Sequence, residues 1–339
     1  MTIRPAGVVR GVIVVAALAA FPFLESANWV VTIGIWTLMY AALATAWNLF
    51  AGYSGYISLG HVAFFGMGAY TVANVFSTTS PLHVHHMSIG SGYRPFYVLP
   101  LVALAVALVS LPIGWIALRT RAITFAIVTL TMLFVFQNLA FNLRSLTNGS
   151  SGIAIPTPSF APATYERPFY FAMLGVLVLG LGFSWYIRNS KLGLALFSIR
   201  EDEEKARGVG VRTTGTKLTA FAISAGLTAM CGGIWAYYLT YIYPQYSVDP
   251  LVMIGSVLPV FLGGRATLWG PTLGALILVP AQQYMAYRLG ASEYYLIGYA
   301  AIFVVILLVL PRGILPTLAD AIERRRYREA RVRPQERIA

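Results

Sequence analysis

Residues able to do chemistry stand in four places along this chain. The longest is a polar island, 188–217, which reads RNSKLGLALFSIREDEEKARGVGVRTTGTK and holds Glu201, Asp202, Glu203 and Glu204, four of the twelve acidic residues. Its charges suit docking against another macromolecule. Its last stretch, Gly210-Val-Arg-Thr-Thr-Gly-Thr-Lys217, has the composition of a phosphate loop, but such a loop needs Gly-Lys-Ser/Thr after its spacer and a strand before it, and here Thr216 separates Gly215 from Lys217. Nucleotide binding by the island is therefore excluded. The second place is Trp47 to Tyr70, WNLFAGYSGYISLGHVAFFGMGAY, where Asn48, Tyr53, Ser54, Gly55, Ser58, Gly60, His61 and Phe65 could form a path for a small polar solute. The third is Leu146-Thr-Asn-Gly-Ser-Ser-Gly-Ile153, where amides around Thr147, Gly149 and Gly152 could face a carboxylate as anion nests do, with a plain turn as the alternative. The fourth, His83-Val-His85-His86, has metal-ligand types but no acid or cysteine beside it, and reads as a loop. There is no HExxH, no GxSxG and no carboxylate pair within an apolar run, so no enzyme is expected.

The elements that must position these groups are membrane helices. Of 339 residues, 58% are hydrophobic and 11% charged, against about 25% charged in soluble domains. Apolar runs near twenty residues recur, which predicts an all-α, polytopic helical membrane protein. Ten spans fit: 8–24, 29–50, 61–79, 96–118, 122–141, 168–187, 218–239, 250–263, 267–287 and 294–310. The first reads as an uncleaved span rather than a signal peptide, because no A-x-A site closes it. The eighth is short and is expected to be broken or re-entrant.

With both termini inside, the outer loops hold only Arg94, Arg144, Arg167 and Arg288 of the 24 basic residues. The net charge of +12 thus orients the chain and attracts anionic lipid; no basic stripe with interleaved aromatics points to nucleic acid. The division expected is a transmembrane domain, 1–315, carrying the island as a loop, and a basic tail, 316–339. Spans free of Asp, Glu, Lys and Arg away from their ends argue against proton coupling. The single cysteine, Cys231, excludes an internal disulfide and a CxxC site.

Within the island, Ser198-Ile-Arg-Glu201 has the capping-box pattern. Acidic residues come early and Lys205 and Arg207 late, as a helix dipole prefers. Arg200/Glu204, Glu201/Lys205 and Glu203/Arg207 are four apart, and Gly208 is placed to close the C-terminus. One helix from Ser198 to Arg207 is predicted, rigid enough to meet a partner. In the second place, Ala51 to Gly60 predicts a break at membrane depth, with its freed backbone met by His61. Phe64, Phe65, Tyr70 and the Gly270-Pro-Thr-Leu-Gly274 motif read mainly as packing.

Five stretches in order resemble the permease subunits of branched-chain amino-acid ABC importers, most closely the M-type (LivM-like) subunit: Trp47 to Tyr70, Leu146 to Ile153, Ser198-Ile-Arg-Glu-Asp-Glu203, Gly263-Gly-Arg-Ala-Thr-Leu-Trp-Gly-Pro-Thr-Leu-Gly-Ala275 and Leu310-Pro-Arg-Gly-Ile314. Two departures are Asn148-Gly-Ser-Ser-Gly152 for a Gly-Gly-x-Gly-like run, and Gly264-Arg-Ala266 for Gly-Arg-Gly. The resemblance implies a homologous H-type permease subunit as the other half of the pore, two ABC ATPase subunits that bind ATP-Mg, and a periplasmic substrate-binding protein, in a bacterial inner membrane. It makes the island a coupling helix for the ATPase, with Ser198, Arg200, Glu201, Asp202, Glu203, Glu204, Arg207 and Gly208 at the contact. No cofactor is expected on this chain. Urea, short amides or another small polar solute remain alternative cargoes, and a stand-alone secondary transporter is the rival class.

Overall fold

A computed structural model of the protein describes residues 5–24, 27–82, 87, 92–289, 298, 300, 301, 304, 305, 308 and 312–321. The long helices are α1 (Pro5–Leu24), α2 (Asn28–Trp47), α3 (His61–Phe76), α4 (Arg94–Ala117), α5 (Ala122–Asn142), α7 (Glu166–Arg188), α10 (Thr213–Leu239), α12 (Pro250–Gly263) and α13 (Gly270–Leu289). Short helices join them: α6 (Arg144–Thr147), α8 (Lys191–Glu201), α9 (Glu203–Gly208) and α11 (Pro244–Ser247). The exception to an all-helical chain among the described residues is a two-residue antiparallel pair, β1 (Ile153–Ala154) with β2 (Tyr241–Ile242), in register Ile153 to Ile242.

Among the described residues, six segments are long and apolar enough to cross a membrane: Asn28–Gly52, Arg94–Ala117, Ala122–Asn142, Pro162–Arg188, Thr213–Leu239 and Pro244–Gly263. This differs from the expected ten. The span expected at 61–79 is a helix of 16 residues because α3 starts part-way down the bundle. The first has only a shorter apolar helix, Gly11–Leu24. The span expected at 294–310 and the histidines at 83–86 lie outside the described residues or largely so, as does most of the tail. The short span at 250–263 is lengthened by α11 before it, where Pro250 opens α12 and the Asp249 carboxylate accepts from Leu251 N at 2.8 Å.

Helix α10 is the axis of the bundle. In its most apolar stretch 83% of residues are buried, against 17% for α5, so α5 has no internal partner on most of its surface. The approach of α3 to α10 is set by glycines: a Cβ on Gly68 would lie 2.0 Å from Ala229 O, and one on Gly232 1.9 Å from Phe65 O. Gly274 does the same between α13 and α12, where a Cβ would lie 2.0 Å from Pro259 O, so the Gly270–Gly274 motif is packing, as its sequence implies. Cys231 is fully buried in α10.

Candidate functional site

The polypeptide between α2 and α3 interrupts regular helix within the bundle. After Trp47 the helix widens to a π-turn over Asn48–Gly52, a form that recurs at functional sites. Asn48 accounts for it: its Nδ2 donates to Thr267 O at 2.9 Å and its Oδ1 accepts from Ala266 N at 2.9 Å, tying α2 to the turn before α13. The chain then reverses at Gly55, whose φ of 80° lies in the left-handed region and whose Cα faces Arg200 of α8. Residues 56–60 climb back without regular structure to His61. The break predicted from the glycines and serines is therefore present, and it is a descent and return rather than a simple gap.

Non-helical backbone at this depth must find partners within protein, and side chains of the bundle supply several of them. Trp47 Nε1 donates to Ser58 O at 2.7 Å, Leu59 N donates to Thr129 Oγ1 of α5 at 3.0 Å, and Tyr56 N donates to Ser54 Oγ at 3.2 Å. Tyr53 and Ser184 share a hydrogen bond of 2.6 Å. His61 is buried among Phe50, Phe64 and Phe221. It bonds side chains, not the freed backbone expected from sequence: Nδ1 lies 2.7 Å from Ser58 Oγ and Nε2 2.8 Å from Ser224 Oγ. Ser224 Oγ gives its proton to Ala46 O at 2.6 Å. It must therefore accept from Nε2–H, and the neutral ring accepts at Nδ1 from Ser58. Phe65 packs against Trp235. A Cβ on Gly60 would lie 2.7 Å from Thr129 O, in contact with α5.

The island folds as two helices, not one. Asp202 leaves the helical region (φ −162°, ψ 108°) and its carboxylate accepts from Lys205 N at 3.0 Å, so it ends α8 and caps α9. The N-caps are thus Ser190 and Asp202. Ser198 is interior, its hydroxyl donating to Leu194 O at 2.9 Å, and the capping box is not formed. Gly208 is the last residue of α9; the left-handed residue that closes it is Gly210, φ 91°. Of the three expected pairs four apart, Glu203–Arg207 is made, at 3.4 Å. The others are not made: Glu204 meets a tertiary neighbour, Arg121, at 3.5 Å, and Lys205 turns to Asp202, three residues before it, at 3.1 Å.

Glu203 is the hub. Lys217, 1% exposed in the first turns of α10, donates from Nζ to Glu203 Oε1 at 2.8 Å. Tyr56, from the returning strand of the break, donates its hydroxyl to Glu203 Oε2, and its ring lies 4.1 Å from Lys217 Nζ. Arg207 bridges Glu203 and Thr213 Oγ1. Burial acts to raise the Glu203 carboxyl, but the hydrogen bonds from Lys217 and Tyr56 outweigh it and hold the group below its ordinary range. Burial and the adjacent carboxylate push the Tyr56 phenol up, so it stays a donor. A carboxyl depressed in the fold stabilises above its unfolded value, near 4.5, and loses that contribution as pH falls through the lower folded value. Hydrogen-exchange protection of 203–217, corrected for the intrinsic fall of exchange with pH, is accordingly expected to hold through neutral and mildly acidic pH and to fall only below the ordinary glutamate value.

Tyr56 and Lys217 stand outside the groups that sequence spacing singles out. Lys217 reads there as the end of the island; its signal is a lone cation at the head of a long apolar helix. A second omission is the exposed face of α5. Thr124, Thr131 and Asn138 recur every seven residues, with Asn142 one turn on, and all four are exposed. Thr131, Asn138 and Asn142 each bond the carbonyl four residues earlier on their own helix. The heptad of small polar residues is the signal.

At the far end from the island, the loop after α5 is a sequence of tight turns. Asn148, Gly149 and Gly152 have φ of 59°, 57° and 65°. Their neighbourhood's amides are engaged locally: Gly149 N with Thr147 Oγ1, Ser151 N with Asn148 O, and Gly152 N with Gly149 O. Thr147 also lines a cavity of about 500 Å³ between α3, α4 and α5, whose walls are nearly all apolar apart from Tyr70, Thr71 and Asn74. Among the described residues, no group of three His, Cys, Asp or Glu could hold a metal ion.

Residues 29–310 match the family described as branched-chain amino acid transport system / permease component. The chain is similar to the high-affinity branched-chain amino acid transport system permease protein LivM of Salmonella typhimurium, 28% identical over 88% of this chain and 72% of that protein. The LivM of Escherichia coli is 27% identical over the same shares. The permease protein LivH of Escherichia coli is 23% identical over 81% of this chain and 91% of its own length. No solved structure matches significantly.

Proposed function

The chain belongs to the branched-chain amino acid transport system permease family, and from that premise we propose that it forms half of the translocation pathway of an ATP-binding-cassette importer for branched-chain amino acids. The other half is a homologous H-type permease subunit. Two separate ATPases supply ATP-Mg hydrolysis, and a periplasmic binding protein delivers the solute. In this reading the chain crosses a bacterial inner membrane about ten times, with the island and both termini in the cytoplasm, and alternates between outward and inward access.

The observation that carries the proposal is the polar stripe of α5. Lipid offers no partner to the amide groups of Asn138 and Asn142 beyond the one bond each makes to its own helix, yet these two line one exposed face with Thr124 and Thr131, on a helix that buries little of itself. Such a face belongs against water or a second subunit, which suits a pathway completed by a partner chain. The island supports the ATPase link: Leu194 and Val209 are 71% and 83% exposed among its charges, apolar knobs on a polar element. The apolar cavity beside Thr147 favours a branched aliphatic side chain over urea.

The test is reconstitution with the second permease, the ATPases and the binding protein, measuring uptake of leucine, urea and acetamide. ATP-dependent leucine uptake is expected. Asn138→Leu is expected to lower it roughly ten-fold, the equivalent of one hydrogen bond worth about 1.4 kcal/mol, with assembly intact. Uptake by this chain alone on an ion gradient would replace the importer reading with a secondary transporter; preference for urea or amides would replace the cargo.

A further inference from the structure

We propose that Tyr56, Glu203 and Lys217 form a strut that carries displacement of α9 into the irregular segment 53–60, and through it to the polar face of α5; this rests on the reading of the chain as an ATPase-driven permease. The consecutive helices α9 and α10 meet the break at one carboxylate, with Tyr56 of the break standing 147 residues before Glu203. Glu203 opens α9, Lys217 lies in the first turns of α10, and Tyr56 stands on the returning strand of the break. Arg207 closes the same knot onto Thr213. Helix α9 itself is short and buries only Ala206 among its six residues, so packing gives it little hold on the bundle. Its grip comes from this directional contact.

A buried ion pair is a poor means of stabilising a fold, because desolvation offsets the attraction; apolar residues of the same volume do as well. What it supplies is a fixed register between the parts it joins. From Tyr56 the connection continues without a gap. Leu59 N is bonded to Thr129 Oγ1, two residues before Thr131 of the α5 stripe, and Ser58 is bonded through Trp47 and His61 to α2 and α10. Arg200 of α8 lies against Gly55 on the other side of the same segment. A push on the island therefore meets the break at two points, and the break is tied to the helix with the exposed polar face.

The experiment uses the assembled transporter in nanodiscs, with Tyr56→Phe, Glu203→Gln and the double variant. Thr131→Cys serves as the reporter and is labelled with and without ATP; the native Cys231 is buried and does not compete. Tyr56→Phe removes only the hydroxyl. The strut predicts that it assembles, that its ATPase partners hydrolyse within about two-fold of normal, and that uptake per ATP falls about ten-fold. Labelling of residue 131 should lose its response to ATP, and the double variant should be no worse than the worse single one. Normal uptake with an intact labelling response would overturn the strut. So would equal loss of assembly, hydrolysis and uptake, because the knot would then only hold the fold. If the unmodified transporter shows neither ATP-driven uptake nor a labelling response, the importer reading beneath it fails instead.

Discussion

Replacing Gly232 by valine is expected to prevent α3 from seating on α10. Even the first added carbon would lie 1.9 Å from Phe65 O and 2.7 Å from its carbonyl carbon. Backbone on both sides means no flexible side chain can yield, so the helices must part. Overpacking of this kind costs about 3 kcal/mol or more. It acts on the contact that fixes the central helix, so the loss is expected as unfolded or aggregated protein on extraction rather than as weaker transport. Gly175→Ala is the matched control. Nothing lies within 4 Å of a Cβ there, and alanine favours the helix by about 1 kcal/mol. Monodispersity and thermal midpoint in detergent read both variants. A well-folded Gly232→Val protein would mean that the α3–α10 approach is not what the bundle is built on.

His61→Leu is expected to cost about 2–4 kcal/mol. Leucine fits the space beside Phe50, Phe64 and Phe221, but Ser58 loses the acceptor for its proton and Ser224 the donor to its oxygen. Both hydroxyls are buried. Ser58 also anchors Trp47 through its carbonyl, so the effect should spread to the break as a whole and appear as faster hydrogen exchange across 53–60. Ser224→Ala should cost less, since Ala46 O loses one donor and His61 Nε2 one acceptor. Because the two side chains share one network, the double variant should fall short of the sum of the singles. Additive losses would show that His61 is held by its aromatic neighbours alone.

Much of the site is legible in the residues alone. Three glycines and two serines in an apolar run mark the break, since such residues cannot continue a helix at depth without partners. The run of acids and bases marks the island. The details of the island are not legible there, because local rules compete. Ser198 and Asp202 are both good caps, and Arg200, Lys205 and Arg207 each have several carboxylates within one turn. The choice falls to neighbours that sequence spacing does not place: Arg121 takes Glu204, and Lys217 with Tyr56 takes Glu203. With Glu203 fixed against α10, the chain has to turn at Asp202, and one helix becomes two.

By itself the sequence determined that this is a bundle of apolar helices with one polar element, because composition and helical length are local properties that lipid and water read directly. Family membership lay in the order of its motifs. Only the tertiary structure decided which helix is central, which face of α5 is left open, where α3 begins within the bundle, and where the cation of Lys217 finds its carboxylate. Those depend on which glycine meets which carbonyl and which charge reaches which partner from a distant part of the chain, and spacing along the chain carries no record of distance in space.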